Sequence, residues 1–497
     1  MASSVGITLV MTLVGFLTRK VFVDTIGVEY LGLNGLLSNI LGVMALLEGG
    51  FASSVVYNLY KPLADDDKPK ILALLQLYKK VYRYIALGVA VCGIAIYPFL
   101  DYFIDDLKDL PFVAFVYFIF LFNSLVRYFT AYKWSLINCS QKNYKLTTIN
   151  LIYQVGLSIA KIAILFYTQN YILYLVVEAL FGLGLNYAIV RKADQMFPYI
   201  KTKEHYQVES ETQKKIITNM KALFLHSLGG YFMHSTDNII LSSYIGLSVV
   251  GLYSNYTLLI GVVTGLVTQV LNSFSESVGN LVASENSDKV YEVFKTVLLV
   301  NFMVVSVPII ILFNVMEPFI RWWLGGEYEM GYIVLAIILL NFFVNNIRTA
   351  ALTFKVKSGI FTQDRWSPLL QGGINLVLSI WWAQIWGISG VLAATAVAIC
   401  SIGFWQFPRL VYKYTFHRPL YLYFVKLGKY CLIMCISLLT AYYICRSITI
   451  NNALITAIVN GLISLSVTAI VYFVSLHRTT EFSSLGNYFS VLRLKHT

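Results

Sequence analysis

Charged residues are scarce in this sequence of 497 residues. Asp, Glu, Lys and Arg together make up 12% of it, and 58% of the residues are hydrophobic. Soluble domains carry about 25% charged residues. Predominantly apolar runs long enough to span a bilayer recur from one end of the sequence to the other. The composition excludes a soluble globular protein and predicts a polytopic membrane protein.

Cysteine is also rare, and its placement excludes a disulfide scaffold. The six cysteines are scattered through apolar segments without the spacing of paired or metal-ligating residues. We interpret them as small hydrophobic residues and expect no metal site and no cofactor. They are Cys92, Cys139, Cys400, Cys431, Cys435 and Cys445.

Several catalytic signatures are missing. The sequence has no GxxxxGK[ST] loop for a nucleotide phosphate, no GxSxG elbow and no HExxH zinc motif. The chain is therefore not its own ATPase, and we expect that it is not an enzyme. The loops predicted to lie outside the cell are short, which disfavours a membrane glycan polymerase that must hold an acceptor.

Basic residues outnumber acidic ones, 37 to 25, for a formal net charge of +12. In a soluble protein this excess would suggest nucleic acid. Here the positive-inside rule explains it better, because roughly 29 of the cations fall in alternate loops. We expect no nucleic-acid partner and both termini in the cytoplasm. The basic segments are 61–83, 133–145, 191–221, 285–295, 355–365, 409–429 and the tail after 477.

The hydropathy pattern predicts an all-α fold with about 14 transmembrane helices, each near the 20 residues that a bilayer requires. Spans eleven and twelve are nearly continuous. The predicted limits are 3–25, 32–60, 80–100, 111–139, 145–168, 171–191, 219–244, 248–276, 294–316, 330–354, 366–386, 388–412, 420–445 and 452–476.

An internal repeat organises the chain. The segment Ile26–Leu33 (IGVEYLGL) matches Ile245–Leu252 (IGLSVVGL) at a shift of about 219 positions, and further matches follow downstream without a gap. Spans one and seven are six apart, so the halves share one orientation and form a parallel repeat. The competing interpretation is that membrane helices resemble one another by composition.

The repeat predicts the domain organisation. Two six-helix lobes are joined by a cytoplasmic linker and followed by two additional helices and a cytoplasmic tail. The predicted limits are 1–193 for the first lobe, 194–218 for the linker, 219–413 for the second lobe and 414–497 for the remainder.

The segment Lys68–Tyr84 (KPKILALLQLYKKVYRY) allows two interpretations. It mixes Leu with Lys and Tyr, as does a helix that lies at the membrane interface with its basic side toward anionic lipid. It is equally well a cytoplasmic extension of span three.

Several cations fall inside predicted spans, where an ionisable group is costly and must find a partner or water. Several share a helix face with amides, as Asn123 does with Arg127. A cavity lined by fixed cations suits an anionic substrate, because Arg and Lys are the usual phosphate ligands. The alternative is that these groups only tie helices together. The candidate substrate-binding residues are Arg19, Arg127, Lys161 and Arg348.

Acidic and imidazole groups within the spans suggest cation coupling. His234 and Asp237 lie three residues apart on one helix face, close enough to bind H⁺ or Na⁺ together. The same acids could instead be salt-bridge partners of the buried cations. The candidate coupling residues are Glu48, Glu178, His234 and Asp237.

Parts of the sequence resemble the polysaccharide repeat-unit flippases, a branch of the multidrug/oligosaccharidyl-lipid/polysaccharide (MOP) exporter superfamily. The resemblance covers nearly the whole chain and weakens after about residue 400. It is strongest in RKVFVDTIGVEYLGLNGLLSNIL from Arg19, LLEGGFASSVVYNLYKPLADDDKPKI from Leu46, DNIILSSYIGLSVVGLYSNYTLL from Asp237, and SESVGNLVASE from Ser275.

The resemblance implies a V-shaped pair of six-helix lobes that works by alternating access. Its substrate would be an undecaprenyl-diphosphate-linked oligosaccharide, moved from the inner to the outer leaflet of the bacterial cytoplasmic membrane for capsule, exopolysaccharide or O-antigen synthesis. Arg19 occupies the place of an arginine that faces the cavity in the related lipid II flippases. We expect a monomer that contacts membrane lipid and works beside a glycan polymerase or glycosyltransferases. The family has more sequence before the first span than is present here.

Two rival functions stay open at this stage. A drug/cation antiporter of the same fold would favour an acidic cavity, which the intramembrane cations argue against. A membrane glycan polymerase is disfavoured by the short outer loops and the internal repeat.

Overall fold

The computed structural model describes residues 2–48, 51–103, 112–140, 142, 144–202, 204–360 and 363–483. Every regular element in these residues is a helix. The chain forms two compact units, 1–251 and 252–497, called here the first and the second unit. The predicted all-α class is confirmed. The predicted lobe boundaries at 193 and 219 stay a prediction.

The helices from the N-terminus to the start of the second unit follow the predicted order. They are α1 (Ala2–Ile26), α2 (Val28–Gly42), α3 (Phe51–Ala64), α4 (Lys68–Ile96), α5 (Val113–Cys139), α6 (Tyr144–Thr168), α7 (Tyr171–Met196), α8 (Ser210–His234), α9 (Thr236–Tyr244) and α10 (Leu247–Ser284).

The remaining helices belong to the second unit. They are α11 (Ser287–Trp323), α12 (Tyr332–Ile347), α13 (Thr349–Lys357), α14 (Ser367–Ser401), α15 (Gly403–Val411), α16 (Tyr421–Ser447) and α17 (Ala453–Leu476).

Ten helical stretches of the described chain are long and apolar enough to cross a membrane. One of them, Ser367–Phe416, covers predicted spans eleven and twelve together. Helices occupy all fourteen predicted positions, but spans one, two and seven are not among the ten. The chain is therefore a multi-pass membrane protein, and the count of fourteen crossings stays a prediction.

Four predicted spans are interrupted, including span twelve, which breaks at Ile402 between α14 and α15. Span two divides into α2 and α3, with a 3₁₀ turn from Val43 to Glu48 after α2. Span seven breaks at Ser235, and span ten breaks at Arg348. The predicted runs were uninterrupted because hydropathy registers only how apolar a segment is. A break in the helical hydrogen bonds depends on which groups the neighbouring helices supply.

The segment Lys68–Tyr84 is the first part of a continuous helix, α4, and extends span three. Asp67 caps this helix by accepting a hydrogen bond from the Lys70 backbone N–H at 3.0 Å. Its apolar side, which includes Leu74 and Tyr78, is buried. Because this side packs against protein, the alternative of a separate interfacial helix is not needed.

A single glycine divides the long helix α14. Gly387 has φ +57°, a conformation that is costly for residues with a β-carbon. Three residues later, a β-carbon at Gly390 would lie 2.2 Å from the Trp382 carbonyl oxygen. The chain reverses here, so the boundary predicted between spans eleven and twelve is present.

The repeated octapeptides adopt matching backbone conformations. Gly27 and Gly246, which occupy the same place in the two copies, have φ +102° and +129°. The second glycines of the copies, Gly32 and Gly251, then allow α2 and the start of α10 to cross at backbone contact.

This crossing is reciprocal. A β-carbon at Gly32 would lie 2.0 Å from the Leu247 carbonyl oxygen, and one at Gly251 would lie 2.1 Å from that of Val28. The repeat shift maps Val28 onto Leu247 and Gly32 onto Gly251. Each copy of the motif therefore supplies both the glycine and the carbonyl, as a two-fold contact requires. Cα–H···O contacts of this kind contribute to helix packing in membranes.

In the second unit, α17 packs on α11 through buried polar groups. The Asn314 amide donates to the Ser464 hydroxyl at 3.1 Å, and the Asn460 amide donates to the Asn314 carbonyl at 3.0 Å. Tyr472 donates to Ser306 at 2.7 Å. Such bonds stabilise helix pairs in hydrocarbon, where polar side chains have no water to bind. They attach the last helix firmly to the unit.

We expect Gly32→Ala and Gly251→Ala to destabilise the protein by about 1–3 kcal/mol each, because the new methyl group overpacks a backbone contact. The measurement is the thermal unfolding midpoint of the purified protein in detergent. Gly261→Ala is the control on α10, because a β-carbon there meets no atom within 4 Å. Alanine favours the helix, so this control should unfold at the same temperature or higher. Equal midpoints for all three variants would contradict the crossing.

Candidate functional site

An ion pair with a largely buried ammonium lies among the helices of the first unit. The Lys161 Nζ of α6 is 2.8 Å from the Glu178 Oε2 of α7, and it lies 4.3 Å from the centre of the Tyr174 ring. The Lys161 side chain is 12% exposed and that of Glu178 is 41% exposed. The carboxylate and the ring face compensate the buried ammonium. The positive charge of Lys161 is therefore balanced by the Glu178 carboxylate, which also faces an open space.

Aromatic residues extend this pair toward α1 and α2. Tyr174 packs against Phe22 of α1 at 5.1 Å between ring centres, and Phe22 in turn contacts Tyr171. The Tyr171 hydroxyl donates to the Asn34 Oδ1 of α2 at 2.6 Å. Arg19 lies one turn before Phe22 and within electrostatic range of Tyr174. Four helices thus contribute to one polar and aromatic cluster.

A cleft of about 320 Å³ opens beside the ion pair, between α5, α6 and α7. Arg127 of α5 lines it and is exposed. No acidic side chain of the described residues forms an ion pair with Arg127. Glu178 lines the opposite side, so the cleft joins the accessible cation to the Lys161 pair. Its other polar lining residues are Asn123, Tyr153, Gln154 and Asn186.

The sequence placed Asn123 with Arg127, and Gln154 with Lys161, by helical spacing alone. The structure brings three of these four to one cleft and places Lys161 directly behind it. Glu178, expected either to couple a cation or to pair with one, is the partner of Lys161.

Glu48 belongs to a second group of contacts, at the interruption of span two. The Tyr82 hydroxyl of α4 donates to the Glu48 Oε1. The Tyr82 ring lies 5.8 Å from that of Tyr128, the residue next to Arg127. Glu48 therefore holds the 3₁₀ turn to α4. It does not join the Lys161–Glu178 pair.

Arg348 lies at the break between α12 and α13 in the second unit. Its Nη2 donates to the Asn345 Oδ1 at 3.2 Å, and its guanidinium lies 5.4 Å from the centre of the Phe407 ring. The Nη1 is buried without a hydrogen-bond partner, as is the Gln371 Nε2. Both nitrogens approach Gly403, whose missing side chain leaves them room. No carboxylate of the described residues forms an ion pair with Arg348.

Asp237 is buried, and it stands in the first turn of α9. A carboxylate is favourable there because it faces the positive end of the helix dipole. The side chain of His234 lies outside the described residues, so the expected His234–Asp237 pair stays a prediction.

Sequence reasoning missed a buried carboxylate in the second unit. Glu317 of α11 accepts a hydrogen bond from Tyr256 at 2.8 Å, and the same tyrosine oxygen accepts from the Met330 backbone N–H at 2.8 Å. Glu317 therefore ties the loop before α12 to the helices. Predicted span nine ended at residue 316, so Glu317 fell outside the segments in which buried ionisable groups were sought, although Asn314 and Arg321 lie on the same helix face.

No family model and no curated protein matches the chain. Solved structures match it at low identity. The "Lipid II flippase MurJ, inward closed conformation" aligns with a TM-score of 0.65 and 15% identity, over 95% of this chain and 99% of that one.

Multidrug transporters match less well. A multidrug resistance MATE family transporter of the MOP superfamily gives a TM-score of 0.53 and 13% identity over 80% of this chain and 94% of that one. A MATE transporter of Vibrio cholerae gives a TM-score of 0.54 and 13% identity over 84% of this chain and 96% of that one. The chain therefore has the fold of the MOP transporters.

The Lys161–Glu178 pair should show strong coupling in a double-mutant cycle. We expect Lys161→Met and Glu178→Gln to interact by more than about 1 kcal/mol, because removing one partner leaves a poorly solvated charge. The measurement is the free energy of unfolding in mixed micelles. The control pair is Lys20–Asp24, whose side chains are 42% and 47% exposed. It should couple by less than about 0.5 kcal/mol, and equal coupling in both pairs would refute a buried interaction.

Proposed function

We propose that the protein is a flippase for undecaprenyl-diphosphate-linked oligosaccharides. It acts by alternating access in the bacterial cytoplasmic membrane, with both termini in the cytoplasm, and supplies a capsule, exopolysaccharide or O-antigen pathway. The polymerase and the glycosyltransferases of that pathway are its expected partners. The MurJ-like fold and the sequence resemblance support this proposal. The observation that carries it is the accessible Arg127 in a polar cleft of the first unit.

Arg127 is the residue best placed to meet a phosphate. A guanidinium offers a planar fork of donors that binds two phosphate oxygens together. No ion pair with a described acidic residue occupies this fork. The amides of Asn123, Gln154 and Asn186 line the same cleft and suit sugar hydroxyls.

Lys161 provides the cleft with a second phosphate-binding group when a phosphate takes the place of Glu178. A phosphate entering the cleft competes with Glu178 for the Lys161 ammonium, because both are anionic oxygen acceptors. Glu178 then loses its counter-ion beside a second negative group, and a proton or Na⁺ is the natural replacement. Substrate binding and cation uptake are coupled in this way. Glu48 and the His234–Asp237 pair remain further candidates for cation binding.

Arg348 is the corresponding candidate in the second unit. Its buried Nη1 lacks an acceptor among the described residues, and a buried cation without a counter-ion is costly. A phosphate oxygen would satisfy both this group and the neighbouring Gln371 amide. Arg19 completes the proposed set of substrate-binding cations.

The drug antiporters share the fold and form the rival class. A cleft with unpaired carboxylates, which could hold a cationic drug, would favour this rival class. Among the described residues that line the cleft, Arg127 is the cation without an ion-pair partner, and the carboxylate there, that of Glu178, is paired with Lys161. A polymerase would need an acceptor site, for which nothing in the described cleft provides a nucleophile and base together.

Replacing Arg127 should abolish most transport without unfolding the protein. We expect Arg127→Ala to slow flipping of a lipid-linked oligosaccharide in proteoliposomes by about 10-fold or more, because a charge-assisted phosphate contact is worth roughly 1.5–3 kcal/mol. Arg127→Lys should keep part of the rate. Lys429→Ala, which removes an exposed cation of α16, is the control and should flip normally. Normal flipping by Arg127→Ala would remove the proposed mechanism.

A membrane potential should bias the distribution of substrate. Each negative charge moved outward from a negative interior gains about 2.3 kcal/mol per 100 mV, equivalent to an equilibrium ratio of about 50. We therefore expect an inside-negative valinomycin potential to shift labelled substrate to the outer leaflet, and an inside-positive one to reverse the shift. The measurement is the accessibility of the glycan to a lectin added outside. Insensitivity to both potentials would show that no net charge moves.

A further inference from the structure

A second basic cleft lies in the first unit, away from Arg127. Its volume is about 960 Å³, and it lies between α4, α5 and a segment that we call the strap, residues 204–209. The strap runs between a 3₁₀ turn, Pro198–Lys201, and α8. We call this space the strap cleft.

Two side chains of α4, those of Gln76 and Lys70, contact the strap. The Gln76 amide of α4 donates to the Glu204 carbonyl at 2.7 Å and accepts from the Tyr206 N–H at 3.0 Å. One amide therefore pairs with the strap as a neighbouring β-strand would. Lys70 lies 3.5 Å from Glu209 near the far end of the strap. These contacts fix the position of the strap beside α4.

The wall formed by α4 is a stripe of cations. Lys79, Lys80 and Arg83 follow Gln76 at helical positions three, four and seven, so the four side chains share one face. All four line the cleft. The three cations are exposed.

These cations differ from their neighbours in having no acidic partner among the described residues. Close by, Lys133 pairs with Asp194 at 2.5 Å. The carboxylate that lines the cleft, that of Glu204, accepts a hydrogen bond from the Tyr206 hydroxyl. Three positive charges therefore face one carboxylate, and the cleft is suited to an anion.

The cleft lies at the depth of lipid headgroups. Helix α4 has 29 residues, and about 20 of them suffice to cross the hydrocarbon. If the span ends at Leu100, at the end of the apolar helical stretch Lys68–Leu100, its 20 residues begin at Val81, and residues 79–84 lie at the membrane boundary. Tyr84 is 64% exposed there, and Tyr132 of α5 also lines the cleft. Tyrosines are enriched at this level of a bilayer.

We propose that the strap cleft binds the phosphate headgroup of a lipid in the adjoining leaflet. Lys79, Lys80 and Arg83 would neutralise the phosphate, and the hydroxyl of Tyr132 would add a donor. The acyl or prenyl chain stays in the bilayer beside α4. Two lipids carry this chemistry, an anionic phospholipid and a polyprenyl phosphate. The inference does not depend on the proposed flippase function, because either lipid can bind without being transported.

The test compares two triple variants of the full-length protein by native mass spectrometry in detergent. The first is Lys79→Ala/Lys80→Ala/Arg83→Ala. The matched control, Arg409→Ala/Lys413→Ala/Lys429→Ala, removes three exposed cations of the second unit. The probes are phosphatidylglycerol, undecaprenyl phosphate and, as a zwitterionic reference, phosphatidylcholine. Because all six side chains are exposed, both variants should fold, and size-exclusion chromatography checks this.

We expect the first variant to bind the anionic probes at least about 10-fold more weakly, since each cation near the headgroups strengthens binding severalfold. The control should change by less than about two-fold, and phosphatidylcholine should not respond. Loss of phosphatidylglycerol alone identifies a phospholipid site, and loss of undecaprenyl phosphate alone identifies a carrier-lipid site. Equal losses in both variants, or none, would overturn the proposal.

A single change tests the strap separately from the charges. Gln76→Leu removes both hydrogen bonds to the strap and leaves the three cations in place. If the strap shapes the site, this variant should bind the anionic probes about 3-fold or more less tightly, while its net charge is unchanged. Wild-type affinity in Gln76→Leu together with weak binding in the triple variant would limit the site to the helix face. Wild-type affinity in both variants would reject the site altogether.

Discussion

Hydrocarbon cannot solvate a charge or a backbone amide, and this constraint decides where the polar groups of the protein lie. The Lys161 ammonium meets it with a carboxylate and a ring face, both supplied by α7. The amides of Asn314 and Asn460 meet it by bonding across α11 and α17. Among the described residues, Arg127 and Arg348 form no ion pair with a carboxylate, and the phosphate contacts proposed above would supply them with an anionic partner.

A second constraint acts on the repeated segments: two helices can approach to backbone contact only where a residue has no β-carbon. The two glycine pairs of the repeat keep the same tasks in both copies: Gly27 and Gly246 turn the chain, and Gly32 and Gly251 admit a neighbouring carbonyl. Elsewhere the copies diverge. Helix α10 has 38 residues, whereas α2 has 15. The conserved geometry is therefore the contact at the repeat axis, and the helices beyond it vary.

Helix α5 relates the two clefts of the first unit. Arg127 lines the interior cleft and Tyr132 lines the strap cleft. The two residues are separated by about 7.5 Å along the helix axis. A phosphate-bearing lipid held at the membrane boundary would thus lie within two helical turns of the accessible interior cation. One helix therefore joins the two proposed sites, the headgroup cleft and the interior phosphate site.

The sequence by itself determined the class, the order of the helices, the repeat and the stripes that place Asn123 with Arg127. These properties depend on hydropathy and on the 3.6-residue period, both of which are local. Only the tertiary structure decided which cation is paired, because Lys161 and Glu178 are on different helices and nothing local distinguishes Lys161 from Arg127. It also decided the interruption of span two at Glu48, the tether at Glu317 and the strap across Gln76. Each of these depends on partners distant in sequence, whose distances arise only when the helices pack.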